Sequence, residues 1–221
     1  MKGGQKMFSF KAILFDMDGT IVDSMPYHFI SWFEVLKKYG VCVRPSTVFE
    51  MEGARMNEII EIAFKDYQEE LTSEIRSCIF SQREEIFKKY FQRHIFSGIR
   101  EFIEKLKNKG TLLGLVSGSF KREVQHMLPK ELYDLFDTVI GGDMVKKSKP
   151  YPEPYLTAAK NLNVSSEKCL VIENAPYGIK SAKSANMLCY AIATSLPKES
   201  LQMADKIFDK HKDLYDYLNL K

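Results

Sequence analysis

The sequence predicts an α/β protein built on an open parallel sheet with helices on both faces, interrupted after its first strand by a helical insert. Two observations carry this. From residue 97 onward, short apolar runs alternate with amphipathic helical stretches, the rhythm of parallel strands joined by helical crossovers. Ahead of that, residues 24–95 read as successive helices with nothing strand-like between them, too long a stretch for one crossover.

Taken in order, "FKAILFD" (10–16) is the first strand, an apolar run suited to burial on both faces. "YHFISWFEVLKKYG" follows as an amphipathic helix stopped by Gly40, and "RMNEIIEIAFKDY" and "SEIRSCIFSQREEIFKKYFQRH" are further helices. The alternation then begins with the helix "GIREFIEKLKNKG", ended by Gly110, and the strand "TLLGLVSGS". "KREVQHML" (helix), "FDTVIGG" (strand), "PEPYLTAAKNLNV" (helix) and "KCLVIEN" (strand) continue it. "APYGIKSAKSANM" (helix), "LCYAIAT" (strand) and "KDLYDYLNL" (helix) complete it. The chain thus divides into a core of residues 1–23 and 96–221 and a helical cap of residues 24–95. The two crossings, near Val22–Ser24 and Phe96–Gly98, are natural hinges for a lid.

Bulk properties exclude several classes. With 45% hydrophobic and 28% charged residues in a chain of 221, the composition is that of a globular protein with a real core. The net charge of +3 is mild, and Lys37-Lys38 and Lys88-Lys89 read as solvated helix faces, so no nucleic-acid partner is expected. Cys42, Cys78, Cys169 and Cys189 form no CxxC pair and have no His at zinc-finger spacing, which fits a reducing cytosol. "MKGGQKMFSF" lacks the apolar segment of a signal peptide, and no run reaches the roughly 18 apolar residues of a membrane span. A cytoplasmic protein with no membrane partner is expected. Its oligomeric state is not legible, with a monomer as the default.

In such sheets ligands bind beyond the carboxyl ends of the strands. Four strand ends here are polar: Asp16 and Asp18, then Ser117, then the "KKSKP" segment with Lys149, then Glu173-Asn174. Each suits a task in phosphoryl transfer. Asp16 is the candidate nucleophile and Asp18 the general acid and base. Gly19 and Thr20 let the backbone turn tightly behind them. Ser117, with Gly118 and Ser119, can bind phosphoryl oxygens, and Lys149 can neutralise charge on nucleophile and phosphate. A hard cation, magnesium by preference, would join Asp16 to the phosphate, with Asp18, Glu173 and Asn174 as further oxygen donors.

"DMDGT" (16–20), "VSGS" (116–119), "KSKPYPEPY" (147–155) and "VIENAPYGIKSAKSANM" (171–187), in this order around a helical insert, resemble the haloacid dehalogenase superfamily in its helical-cap branch. The resemblance covers nearly the whole chain. It implies a Rossmann-like core, magnesium and an aspartyl-phosphate intermediate. Members that displace halide lack an acid/base Asp at the second position, so Asp18 implies phosphoryl chemistry. The resemblance also makes position 174 a direct metal ligand, where relatives carry an acid and this chain carries Asn. An Asn carbonyl can coordinate magnesium, with one negative charge fewer.

"PYHFISW" resembles the sugar-phosphate mutase branch, in which His28 would lie at the hinge and active-site rim. "EGARMNEII" (52–60) occupies the place of the cap loop that reaches substrate, making Arg55 a candidate for a second anionic group or for pairing with Glu52 or Glu58. The mutase pattern is incomplete. Met56 stands where the mutase Arg would fall, and Phe120 and Lys121 where a Lys and an Asn help hold a second phosphate. The expectation is therefore a phosphatase acting on a small phosphorylated metabolite, plausibly a sugar phosphate. A β-phosphoglucomutase-like enzyme is the alternative, and a non-catalytic phosphometabolite-binding protein is less favoured.

Overall fold

The computed structural model describes residues 10–65 and 71–218. Strands β1 (Ala12–Phe15), β2 (Leu112–Val116), β3 (Thr138–Ile140), β4 (Cys169–Glu173), β5 (Leu188–Ile192) and β6 (Lys206–Phe208) form one sheet. Its order is β3-β2-β1-β4-β5-β6 and every pairing is parallel. β1 lies between β2 and β4, with Phe15 beside Leu115 and Ile172, so the ends of the three strands that carry the polar motifs emerge side by side.

Strand periodicity sends alternate side chains to opposite faces. Ile13, Phe15, Leu115, Leu170 and Ile172 pack with α5 (Ile99–Asn108), α6 (Lys121–Met127) and α10 (His211–Tyr217). Ala12, Leu14, Val116, Cys169 and Val171 pack with α8 (Glu153–Asn161) and α9 (Pro176–Ser184) on the other face. Fully burying each Leu, Ile or Phe contributes about 1.5–3 kcal/mol relative to exposure. The apolar runs of the central strands are therefore the main source of the sheet's stability.

Helices α1 (Met25–Lys37), α2 (Pro45–Glu50), α3 (Met56–Ala63) and α4 (Ser73–Tyr90) form the insert. They gather a third apolar cluster around Trp32, Val35, Leu36, Ile60 and Ile79. The two crossings to the core are stitched together. Val22 bridges antiparallel to Ile95, Asp23 N–H donates to the His94 carbonyl at 2.9 Å, and Phe96 N–H to the Ile21 carbonyl at 3.0 Å.

Three elements were not expected from the sequence: α2, β6 and the four-residue α7 (Lys130–Tyr133). Each is too short to repeat a helical or strand period, so only tertiary contacts define it. The end of the helix expected over "RMNEIIEIAFKDY" (Asp66, Tyr67), the last residues of the closing helix and the segment 1–9 lie outside the described residues. Among the described residues no helix is long and apolar enough to cross a membrane, and Cys78, Cys169 and Cys189 are free thiols.

Candidate active site

The sheet brings the four sequence motifs to one place. Asp16, Asp18, Ser117, Lys149, Glu173 and Asn174 are all buried at the carboxyl ends of β1, β2 and β4 or in the loop before α8. Asp16 still extends the ladder, its N–H donating to the Ile172 carbonyl at 2.9 Å, and Gly19 then turns the chain at φ +84°.

Lys149 is the hub. Its Nζ donates to Asp16 Oδ1 at 2.6 Å, to Glu173 Oε1 at 2.7 Å and to the Val116 carbonyl at 3.3 Å. Burial alone would lower the Lys149 pKa. Asp16 and Glu173 outweigh it and hold the ammonium well above its ordinary value. Glu173 is saturated, with Oε1 also accepting from Tyr155 at 2.8 Å and Oε2 from the amides of Asn174 at 2.8 Å and Ala175 at 3.1 Å. It acts as an anchored counter-charge that fixes Lys149 against Asp16.

The two aspartates of "DMDGT" have different surroundings. Asp16 Oδ2 is buried with no hydrogen-bond partner. Burial pushes the Asp16 carboxyl well above its ordinary range; Lys149 opposes this, and Glu173 and Asp18 reinforce it. Asp18 accepts from Ser24 Oγ at 2.6 Å and His28 Nε2 at 3.0 Å on one oxygen, and from Ser117 Oγ at 3.1 Å and Ser119 Oγ at 3.5 Å on the other. Burial acts to raise the Asp18 carboxyl, yet His28 beside it, with the hydroxyls of Ser24 and Ser117, brings it below the ordinary value. One carboxyl group therefore keeps an unengaged oxygen, and its neighbour, with both oxygens engaged, favours the carboxylate form.

A cavity of about 690 Å³ opens between insert and core, lined among others by Asp18, His28, Trp32, Glu52, Arg55 and Phe120. The insert loop 51–55 is seated on the site. A Cβ on Gly118 would lie 2.7 Å from Gly53 Cα, and one on Gly53 would lie 2.4 Å from Lys149 Cδ, so backbone meets backbone where two side chains are absent.

His28 thus reaches the site directly. Arg55 lines the cavity, but its Nη2 donates to the carbonyls of Lys146 and Val145 rather than pairing with Glu52 or Glu58. Asn174 lies behind Gly19, its Oδ1 accepting from Thr20 Oγ1 at 3.2 Å and its Nδ2 buried without a partner.

Sequence reading missed Glu52, Ser24, Arg83 and Tyr155 as site residues. Glu52 stands immediately before the Gly-Ala-Arg step that drew attention to Arg55, and an acid beside a loop glycine reads as surface. In the structure it is buried, and oxygens of Asp16, Glu52 and Glu173 lie within 4.8 Å of one another. This all-oxygen set around an unpartnered Asp16 Oδ2 suits a hard divalent cation.

Comparison with known proteins agrees with the geometry. The chain is 29% identical over 189 residues to the phosphorylated carbohydrates phosphatase of Thermotoga maritima, covering 84% of this chain and 87% of that one. It is 27% identical over 194 residues to the beta-phosphoglucomutase of Bacillus subtilis, covering 85% of each. The fold superposes on the crystal structure of beta-phosphoglucomutase from Clostridium difficile with a TM-score of 0.80 at 24% identity, over 95% of this chain and 97% of that one. Residues 13–192 match the haloacid dehalogenase-like hydrolases, and with the four strand-end motifs converging on one buried site, the chain belongs to that family.

Proposed function

We propose that the protein is a magnesium-dependent phosphatase that hydrolyses a small phosphomonoester, a sugar phosphate by preference, through an aspartyl-phosphate. The single observation that carries the reading is the asymmetry of Asp16. Lys149 fixes Oδ1, and Oδ2 is buried beside it with no hydrogen-bond partner among the described residues. A carboxylate oriented on one side and unengaged on the other is arranged for attack.

In the first step an Asp16 oxygen forms a bond to phosphorus as the ester P–O bond breaks, and the departing alkoxide takes a proton from the Asp18 carboxyl. In the second, water attacks the same phosphorus, Asp18 as carboxylate takes its proton, and the Asp16 carboxylate departs as phosphate forms. The hydrogen bonds from Ser24, His28 and Ser117 favour the carboxylate form of Asp18, the form needed in this second step. Lys149 stays charged throughout and offsets the negative charge gathered on Asp16 and the phosphoryl oxygens. Ser117, Gly118 and Ser119 are the proposed phosphoryl-binding residues. Magnesium, held by Asp16 with oxygen donors of the β1 and β4 ends, would supply Lewis-acid charge stabilisation.

Residues 24–95 are the proposed cap over a core of 1–23 and 96–221. The cavity touches Asp18 and Glu52 among its lining residues and stops short of Asp16, so the loop 51–55 has to lift to admit substrate. The free thiols fit a reducing cytoplasm. Transfer back to sugar, as in a mutase, requires a second anion anchor. Arg55 is engaged by two carbonyls, and Met56 and Phe120 carry no charge, which supports hydrolysis over transfer.

The test is phosphate release from a panel of small phosphomonoesters with magnesium present, against Asp16→Asn. Release from sugar phosphates by the wild type alone is expected. No release above that variant from any member of the panel would overturn the reading.

A further inference from the structure

We propose that Glu52, carried on the cap loop, is a carboxylate ligand of the divalent cation and supplies the negative charge that Asn174 lacks. The proposal rests on the phosphatase reading above.

The argument begins with a buried charge that has no donor. Glu52 is only 7% exposed, and its Oε2 is among the buried polar atoms without a hydrogen-bond partner. An ionised carboxylate left in that condition is strongly disfavoured unless a cation joins it. Its surroundings are already acidic, because oxygens of Asp16 and Glu173 stand within 4.8 Å. Lys149 is the cation at this point, and it pairs with Asp16 and Glu173; among the described residues no ion pair joins it to Glu52. Three carboxylates around one ammonium leave a deficit of positive charge.

The free acceptors then identify the ligands. Glu173 receives four hydrogen bonds and has the least freedom to turn toward an ion. Asp16 Oδ2 and Glu52 Oε2 are the two carboxylate oxygens of the cluster left buried and unengaged. Asn174 offers a neutral amide oxygen that already accepts from Thr20. A hard cation bound by oxygen gains affinity with ligand charge. With Asn at 174 and both oxygens of Glu173 engaged, Glu52 is the carboxylate beside Asp16 that keeps a buried, unengaged oxygen.

Glu52 belongs to the cap and Asp16 to the core, so the cation would be held fully only with the loop seated, as Gly53 is here against Lys149 and Gly118. Metal affinity and cap position become one equilibrium.

The experiment is calorimetric titration of the metal-free full-length protein with Mg²⁺ and Mn²⁺, without substrate. Wild type, Glu52→Gln, Glu52→Asp and Glu52→Gln/Asn174→Asp are compared. Glu52→Gln is expected to weaken binding about tenfold or more, since ligand charge sets affinity. Glu52→Asp, which keeps the charge at shorter reach, should fall between it and the wild type. Adding Asn174→Asp to Glu52→Gln should restore most of the loss. Thermal melting without metal serves as the folding control, and Glu52→Gln should melt at or above the wild type because a buried like charge is gone. Equal metal affinity in wild type, Glu52→Gln and Glu52→Asp overturns the proposal. If inorganic phosphate also binds Glu52→Gln more tightly, Glu52 instead guards the phosphoryl slot. Failure of the phosphatase reading shows separately, as a silent phosphomonoester panel beside intact metal titrations.

Discussion

Arg83 Nη2 donates to Nδ1 of His28, and this contact sets which nitrogen of the ring carries the proton. A guanidinium has donors only, so Nδ1 must accept and the hydrogen must sit on Nε2. That nitrogen lies 3.0 Å from Asp18 Oδ1 and therefore donates to it. Arg83 is held for the task between the rings of Trp32 and Phe87, 5.4 and 5.3 Å from their centroids. Helices α1 and α4 thus together orient a donor to the proposed acid/base Asp18.

Replacing Arg83 tests that positioning role. Arg83→Met should leave the ring free to present either nitrogen to Asp18, lowering kcat about tenfold, less than the roughly 10²–10⁴-fold of a directly acting acid or base, with little change in KM. Nitrogen NMR of the imidazole should report the Nε2–H tautomer in the wild type and a mixture in the variant. A single unchanged tautomer in Arg83→Met would show that the arginine only packs.

A glycine in α9 should respond against its usual sign. Exchanging a helix-interior Gly for Ala ordinarily stabilises by about 0.8–1 kcal/mol. At Gly178 the added Cβ would stand 1.7 Å from Glu173 Oε1, the oxygen that holds Lys149 and Tyr155. Glu173 has no room to yield, since its other oxygen accepts two backbone amides. Gly178→Ala is expected to lose about 1–3 kcal/mol, the cost of overpacking, and to reduce phosphate release because Lys149 shifts with its anchor. Urea denaturation measures the first effect; stability equal to or above the wild type would contradict it.

His211 links stability to pH. Its Nε2 donates to the Thr20 carbonyl at 2.8 Å and its ring stacks on Phe96 at 4.5 Å, tying α10 to the turn of the first motif. Burial lowers the His211 pKa more than the Thr20 hydrogen bond raises it. The unfolded chain therefore takes up this proton first as pH falls. The contribution of neutral His211 is complete above the unfolded value of about 6.5 and is lost as pH drops through the lower folded value. Melting temperature should decline on acidification from about pH 7 to 5, with a shallower decline in His211→Gln. Parallel profiles for the two proteins would remove His211 from the account.

Much of the site was legible because it is written in local pattern. An apolar run ending in "DMDGT" announces a buried parallel strand with carboxylates at its mouth, and "VSGS", "KSKP" and "VIEN" repeat the grammar in chain order. Parallel strands aligned by hydrophobic period put those ends together, so Asp16, Ser117, Lys149 and Glu173 could be named from the residues. The separate conditions of the two aspartates could not. Ser24 and His28 approach one oxygen of Asp18 and Ser117 the other, while Asp16 keeps one oxygen unengaged, and spacing carries no such information.

What the sequence determined by itself was the fold class, the helical insert and the strand-end motifs, since helical and strand periods and turn residues are properties of neighbours along the chain. Tertiary structure alone decided that Glu52 joins Asp16 and Glu173 in one buried carboxylate cluster, that Arg55 turns onto the Val145 and Lys146 carbonyls, and that Arg83 contacts His28 Nδ1. On a loop or a polar helix these residues have the pattern of solvent-facing charges. They reach the candidate site only through the packing of helices α1–α4 and their loops against the sheet, which buries Glu52 and sets Arg55 and Arg83 against carbonyls, an imidazole and aromatic rings.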